Sequence, residues 1–181
     1  MYVWPMVLFL LVVGWGQAAL AQTFDSAFKT WRVFSLVREK QKICYAISSP
    51  VEKTGTYKRR GAPYVVVTYR ENNPTEVGVY AGYPYKAKST VDITIDTQPQ
   101  YAFFTTTKTP QIAWAQSTDE DKKIVEDMLK GSKMTVTGQA QTNATSTDTY
   151  ALQGFSQAYK RMQELCKAGK PRAQEGKPRR E

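Results

Sequence analysis

Short runs of β-branched and aromatic residues recur through most of this chain at roughly ten-residue spacing, with Gly, Pro and Asn between them. That punctuation constrains the fold more than any other feature, because each run suits a strand and is too short for a typical helix. The clearest run is 64–69 (YVVVTY), β-branched or aromatic at every position. Residues 89–95 alternate Val91, Ile93 and Ile95 with Asp92 and Thr94, the period of a half-buried strand. Runs at 30–37, 43–48, 76–80, 101–106, 111–115, 133–138 and 148–153 complete the series. Such a series predicts a mainly β domain, a β-sandwich of the immunoglobulin-like kind.

Two segments break the pattern and read as helices. Ser117 and Glu120 form an S-x-x-E capping box, with acidic residues filling the first turn. Ile124, Val125, Met128 and Leu129 then fall at helical spacing, and Gly131 ends the run. The second helix begins near Ser156. Phe155, Tyr159, Met162, Leu165 and Cys166 share one of its faces. The expectation is a sandwich with one internal and one C-terminal helix.

Residues 1–21 carry no charged side chain, and 7–13 are an unbroken apolar run. Ala19-Leu20-Ala21 follows as a small-x-small cleavage site. The run is well short of the roughly 20 apolar residues that span a bilayer. It reads as a signal peptide, which leaves 22–166 as the domain and places the protein in the periplasm or at the outer membrane. Export changes how Cys44 and Cys166 read, since an even count in an oxidising compartment favours pairing. A redox-active pair is the alternative, but the C-x-x-C spacing it normally uses is absent.

The formal net charge is +9. Residues 167–181 supply nearly half of it, with six basic residues against two acidic ones and nothing apolar larger than Ala. This segment reads as a disordered basic tail. Lys170, Arg172, Lys177, Arg179 and Arg180 are its candidate tether to anionic lipid or lipopolysaccharide. The body is only mildly basic, so nucleic acid is not an expected partner.

The chain has no His. That excludes Ser-His-Asp and Cys-His catalysis, His-ligated zinc and an imidazole switch. No P-loop, G-x-G-x-x-G or G-x-S-x-G motif occurs. Asp92 and Asp96 could share one strand face as a hydrolytic carboxylate pair, although the wet face of a strand explains them more simply. The Asp119-Glu120-Asp121 run lacks a cation-loop pattern and is explained by helix capping. No catalytic residue, metal ligand or cofactor is assigned. Interleaved aromatic and basic residues make Lys58, Arg59, Arg60, Tyr83, Tyr85, Lys86 and Lys88 a candidate anion-binding patch.

An ordered series of short segments supports a family resemblance. It includes Trp31-Arg32-Val33, Cys44-Tyr45-Ala46, Arg60-Gly61, Glu76-Val77 and Gly82-Tyr83-Pro84. It continues through Ala113-Trp114-Ala115, Gly131-Ser132, Met134 to Gly138, Thr147 to Leu152 and Gly154-Phe155-Ser156 before Cys166. In this series the chain resembles the invasion-associated locus B family of exported Gram-negative proteins. The resemblance implies a β-sandwich in the cell envelope, a Cys44–Cys166 bridge and a link to host-cell invasion, and it carries no catalytic residues. Members often have a basic turn before the Thr-Asp-Thr-Tyr segment, where this chain has Gln141-Thr142-Asn143-Ala144-Thr145. The expected function is that of a non-enzymatic envelope protein that binds an envelope or host partner. The alternatives are an accessory subunit of an envelope assembly and a carboxylate-dependent hydrolase.

Overall fold

Eleven antiparallel strands run in the order β1-β2-β3-β5-β6-β9-β8-β7-β10-β11-β4. The computed structural model describes residues 22–57, 59–71, 73–97 and 100–167, and all counts refer to these. The strands are β1 Thr23–Phe28, β2 Trp31–Arg38, β3 Gln41–Ser48, β4 Glu52–Gly55, β5 Tyr64–Arg70 and β6 Glu76–Tyr80. After them come β7 Val91–Ile95, β8 Gln100–Thr105, β9 Ile112–Trp114, β10 Lys133–Gln139 and β11 Thr145–Ala151. Two helices, α1 Thr118–Lys130 and α2 Phe155–Lys167, occupy the expected places. Each run read as a strand is one. β1 and β4 are additional, and β4 (EKTG) has no apolar residue by which to be recognised. The candidate tether residues Lys170, Arg172, Lys177, Arg179 and Arg180, residues 1–21 read as a signal peptide, and Lys58 lie outside the described residues.

The sheet curls over onto itself. β2 and β11 stand eight places apart in the strand order, about 38 Å if the sheet were flat at about 4.8 Å per strand. Yet the Trp31 indole N–H of β2 donates to the carbonyl of Ala151, the last residue of β11, at 3.0 Å. β8 pairs with both β7 and β9 and so joins the two halves. The enclosed faces share one core that runs from Trp31, Val33, Cys44 and Val67 to Ile93, Phe103, Val136 and Tyr150. The arrangement is mainly β and compatible with the expected sandwich.

The helices close this interior. Phe155 of α2 packs on Trp31 with ring centroids 4.7 Å apart. Cys166 is bonded to Cys44 of β3, with Cα atoms 5.7 Å apart. The bridge spans 122 residues, and constraining so long an unfolded loop contributes about 4–5 kcal/mol. Asp25 in the bulge of β1 takes a two-pronged ion pair from Arg161 of α2 at 2.6 and 2.7 Å. Arg161 holds the Asp25 carboxyl below its usual range. Ser117 caps α1 by accepting from the Glu120 N–H, while the Glu120 carboxylate takes the Gln116 N–H. Gly131 ends α1 in extended geometry (φ −79°), not in the left-handed turn that Gly usually serves. A Cβ there would stand 2.5 Å from Ile95, so close packing is what requires glycine.

Asp121 settles a loose end of the sheet. β9 pairs with β6 only from Gly78 onward, and the buried Asp121 carboxylate accepts the N–H of the preceding Val77 at 2.8 Å. Burial raises its pKa to about 6, opposed by that hydrogen bond and reinforced by Glu76 and Glu120. An unfolded Asp titrates near 4 (about 3.9). The fold therefore holds the proton more tightly, and the stability this contributes is lost as pH rises from about 4 through about 6. Asp121→Asn keeps an acceptor for Val77 without the charge. The melting temperature of the variant minus that of the wild type should rise across this window and level off above it. A pH-independent difference would contradict the assignment.

Candidate functional site

The patch suggested by interleaved Tyr and Lys/Arg is divided between interior and surface. Arg59, Lys86 and Lys88 are exposed. Arg60, Tyr83 and Tyr85 are not available to a surface anion: the Arg60 side chain is 8% exposed, and the two tyrosines are buried. The Arg60 guanidinium grips both oxygens of buried Asp148 on β11. It also donates to the Ala81 carbonyl at 3.0 Å and to Ser146 Oγ at 3.3 Å. Tyr83 OH lies 2.7 Å from Ser146 Oγ and donates to the Gly138 carbonyl. Burial pushes the Tyr83 phenol up and raises Tyr85 and Tyr150 well above their ordinary range. This node pins the β4–β5 and β6–β7 connections to β10 and β11. Its charges are already satisfied by one another.

The carboxylate candidates also separate. Asp96 sits in a left-handed turn (φ 52°), where it accepts the Ser132 and Lys133 N–H groups. Asp92 faces outward from β7. The two do not form an acid–base pair, because the Asp96 carboxylate is committed to the backbone. Asp119 and Glu120 serve the start of α1, and Asp121 serves β6. No group of three potential metal ligands occurs among the described residues.

The outward faces of the sheet are chemically unlike each other. On the β7–β10–β11–β4 half, the rows are Asp92–Thr137–Thr147–Thr54 and Thr94–Thr135–Thr149–Glu52. Polar side chains are what a solvated sheet face carries. On the β1–β2–β3–β5–β6–β9 half, the residues that alternate with the core are mostly apolar or aromatic, Phe34 and Leu36, Ile43, Tyr45 and Ile47, Tyr64 and Val66, Tyr80, Ile112 and Trp114, with Arg32, Thr68, Arg70 and Glu76 among them. Phe24 adds a ring that is 55% exposed. Both helices pack on the opposite, core-lining side of these strands, α2 through the Cys44 bridge and the Trp31 stack. No described element covers the aromatic face.

Register resolves this face into a trough. The central row, Arg32–Ile47–Val66–Gly78–Trp114, is its floor. Along one side runs the row Phe34–Tyr45–Thr68–Glu76, with Phe34 stacked on Tyr45 at a centroid distance of 5.4 Å; along the other side Tyr64 stacks on Tyr80 at 4.8 Å, opposite Thr68 and Glu76. Gly78 is needed because the Trp114 ring lies over it: a Cβ there would come within 2.7 Å of the indole. Trp114 thereby lies flat at one end of the floor and Arg32 stands at the other. The trough opens into a space of about 720 Å³ that Lys29, Thr30, Ser49 and Val51 also line. A second hollow of about 520 Å³ continues from Tyr64 past Tyr80 to Lys108 and Ile112. Burial raises the Tyr45 and Tyr64 phenols, so both remain neutral donors. The signal for this site was present in runs such as YVVVTY, where residues are apolar on both faces of a strand although a sheet covered on one side needs only one apolar face.

A protein-family model described as the invasion associated locus B protein matches residues 31–163. The chain belongs to the invasion associated locus B family. The fold recurs in the crystal structure of invasion associated protein B from Bartonella henselae, with a TM-score of 0.61 at 16% identity over 81% of this chain and 99% of that one. No curated protein matches the chain. Within this locus B domain, the Arg60-Gly61, Gly82-Tyr83 and Thr147-Asp148 segments converge on the interior node. Gly61 N–H donates to the Gly82 carbonyl at 2.9 Å, and Gly82 has a left-handed φ of 82°. These segments are fold determinants, whereas most of the trough residues fall outside the series that carries the resemblance. Asp148→Asn should leave the buried Arg60 guanidinium uncompensated and lower unfolding free energy by about 3–5 kcal/mol. Urea denaturation measures this. A change below about 0.5 kcal/mol, typical of a surface site, would return Arg60 to the surface patch.

Proposed function

We propose that this protein is an exported, non-catalytic protein of the cell envelope that binds a macromolecular partner through its aromatic sheet face. The observation that carries this reading is the contrast between its two outward sheet faces, one a threonine ladder and the other an open trough of stacked aromatic rings. An apolar face of this extent on a sheet with nothing packed on it marks an interaction surface. The absence of His and the commitment of Asp96, Glu120, Asp121 and Asp148 to backbone N–H groups or to Arg60 support a binding role over hydrolysis. The family's name associates it with invasion, and a partner at the envelope or host surface agrees with that association. Among the described residues no helix is long and apolar enough to cross a membrane. On this reading the basic residues after α2 tether the protein to anionic lipid or lipopolysaccharide, and the sheet face engages the partner.

A photo-crosslinking residue placed at Val66, on the trough floor, should give a discrete adduct in intact cells that disappears with Tyr64→Ala. The same residue at Thr135, on the polar face, should give none. Equal labelling from both positions, or none from Val66, would defeat the proposal. Deleting 168–181 should abolish salt-sensitive sedimentation with vesicles of anionic phospholipid. Unchanged sedimentation would remove the tether.

A further inference from the structure

We propose that the partner of the aromatic trough is an anionic polysaccharide with sparse carboxylate groups, a chain of sugar rings of which some are uronic acids. The inference rests on the reading of this face as a binding surface and supplies its chemistry.

Three kinds of occupant suit an open trough on a sheet, and the geometry separates them. An extended peptide adds to a sheet through free main-chain groups at an edge. This trough crosses the middle of β2, β3, β5 and β6, where each strand is paired on both sides. Only side chains are on offer. A lipid acyl chain needs a largely enclosed apolar cavity, whereas here Tyr hydroxyls and cations rim an open channel. Sugar rings fit both features. Their C–H faces pack on aromatic rings and flat apolar floors, and their hydroxyls meet the neutral Tyr45 and Tyr64 phenols. From β2 to β9 the floor runs about 19 Å at about 4.8 Å per strand, several sugar rings long. The side rows are four residues apart along each strand, about 13 Å between backbones, which admits one chain of rings, flanked by the Phe34–Tyr45 pair over β2 and β3 and then, on the other side, by the Tyr64–Tyr80 pair over β5 and β6.

Charge sets the class of sugar. The two hollows are lined by Lys29, Arg32 and Lys108 and by no carboxylate; Glu76, at the β6 end of the Phe34–Tyr45 row, is neutralised by Arg70 at 2.6 Å. The ligand is therefore anionic. Three cations spread along such a length match occasional single charges and not the dense charge of a heavily sulfated chain. Arg32 presents a planar fork suited to two-pronged recognition of a carboxylate.

The test uses the full-length protein with oligogalacturonate, a carboxylated sugar chain, against neutral dextran and sulfated heparin, at a salt concentration that screens loose contacts with the basic tail. Trp31 is fully buried, and Trp4 and Trp15 are common to every variant, so the part of the emission change that Trp114→Phe erases reports the end of the trough. Oligogalacturonate should shift this emission saturably and dextran should not. Tyr64→Ala and Phe34→Ala should each weaken binding about tenfold or more, with melting temperatures close to wild type. Arg32→Gln should weaken it less and reduce its salt dependence. Equal affinity in the wild type and Tyr64→Ala would mean attraction by net charge alone and overturn the inference. Tyr64-dependent binding of heparin without oligogalacturonate would overturn the carboxylate assignment. If no polysaccharide binds while Val66 still crosslinks in cells, this inference fails and the binding-surface reading survives. If Val66 gives no adduct either, both fall.

Discussion

The bond between Cys44 and Cys166 decides which side of the sheet the terminal helix covers. Cys44 lies on the core-lining face of β3, so α2 is held against the surface that carries Trp31, Val33 and Ala46. The Arg161–Asp25 pair and the Phe155–Trp31 stack reinforce that placement at the other strands. With the helix inside, the curled sheet must close its interior using its own second half, and the outer surface of the first half stays open. An apolar helix face and an apolar sheet face normally satisfy each other. Here one sheet presents two apolar faces and the helix satisfies only one.

That division explains why the charged residues of this protein fall into separate roles. Arg60 and Asp148 neutralise each other beneath the β6–β7 connection, and Asp121 meets a backbone N–H that the short β9 cannot reach. These are interior solutions to local hydrogen-bonding problems. Lys29, Arg32 and Lys108 border the open face and have water or a ligand to meet.

Much of the fold was legible from the chain because period-two alternation and capping chemistry are local. Val91, Ile93 and Ile95 point inward as their spacing implies, and Ser117 caps α1. β4 was hidden because its four residues are all exposed and it is held only by pairing with β11. The site was less legible for a related reason. Tyr83 and Tyr85 sit beside Lys86 and Lys88 in sequence but point into the core, and Arg60 is drawn inward by Asp148, 88 residues away. Nearness along the chain suggested a patch that long-range pairing divides. Conversely, Phe34, Tyr45, Tyr64 and Tyr80 come from four separate strands and meet only through the register of the sheet.

The strand order has two open ends, β1 and β4. An open strand edge invites pairing with another molecule and, eventually, fibrillar association. Both ends are protected by different means. β4 is four residues long and carries Glu52 and Lys53. β1 is bent by a bulge at Asp25, whose carboxylate is tied to α2. A protein with an uncovered aromatic surface is exposed to self-association, and these guarded edges leave its main-chain groups few routes to it. Any stickiness is confined to side chains on one face, where it can be selective.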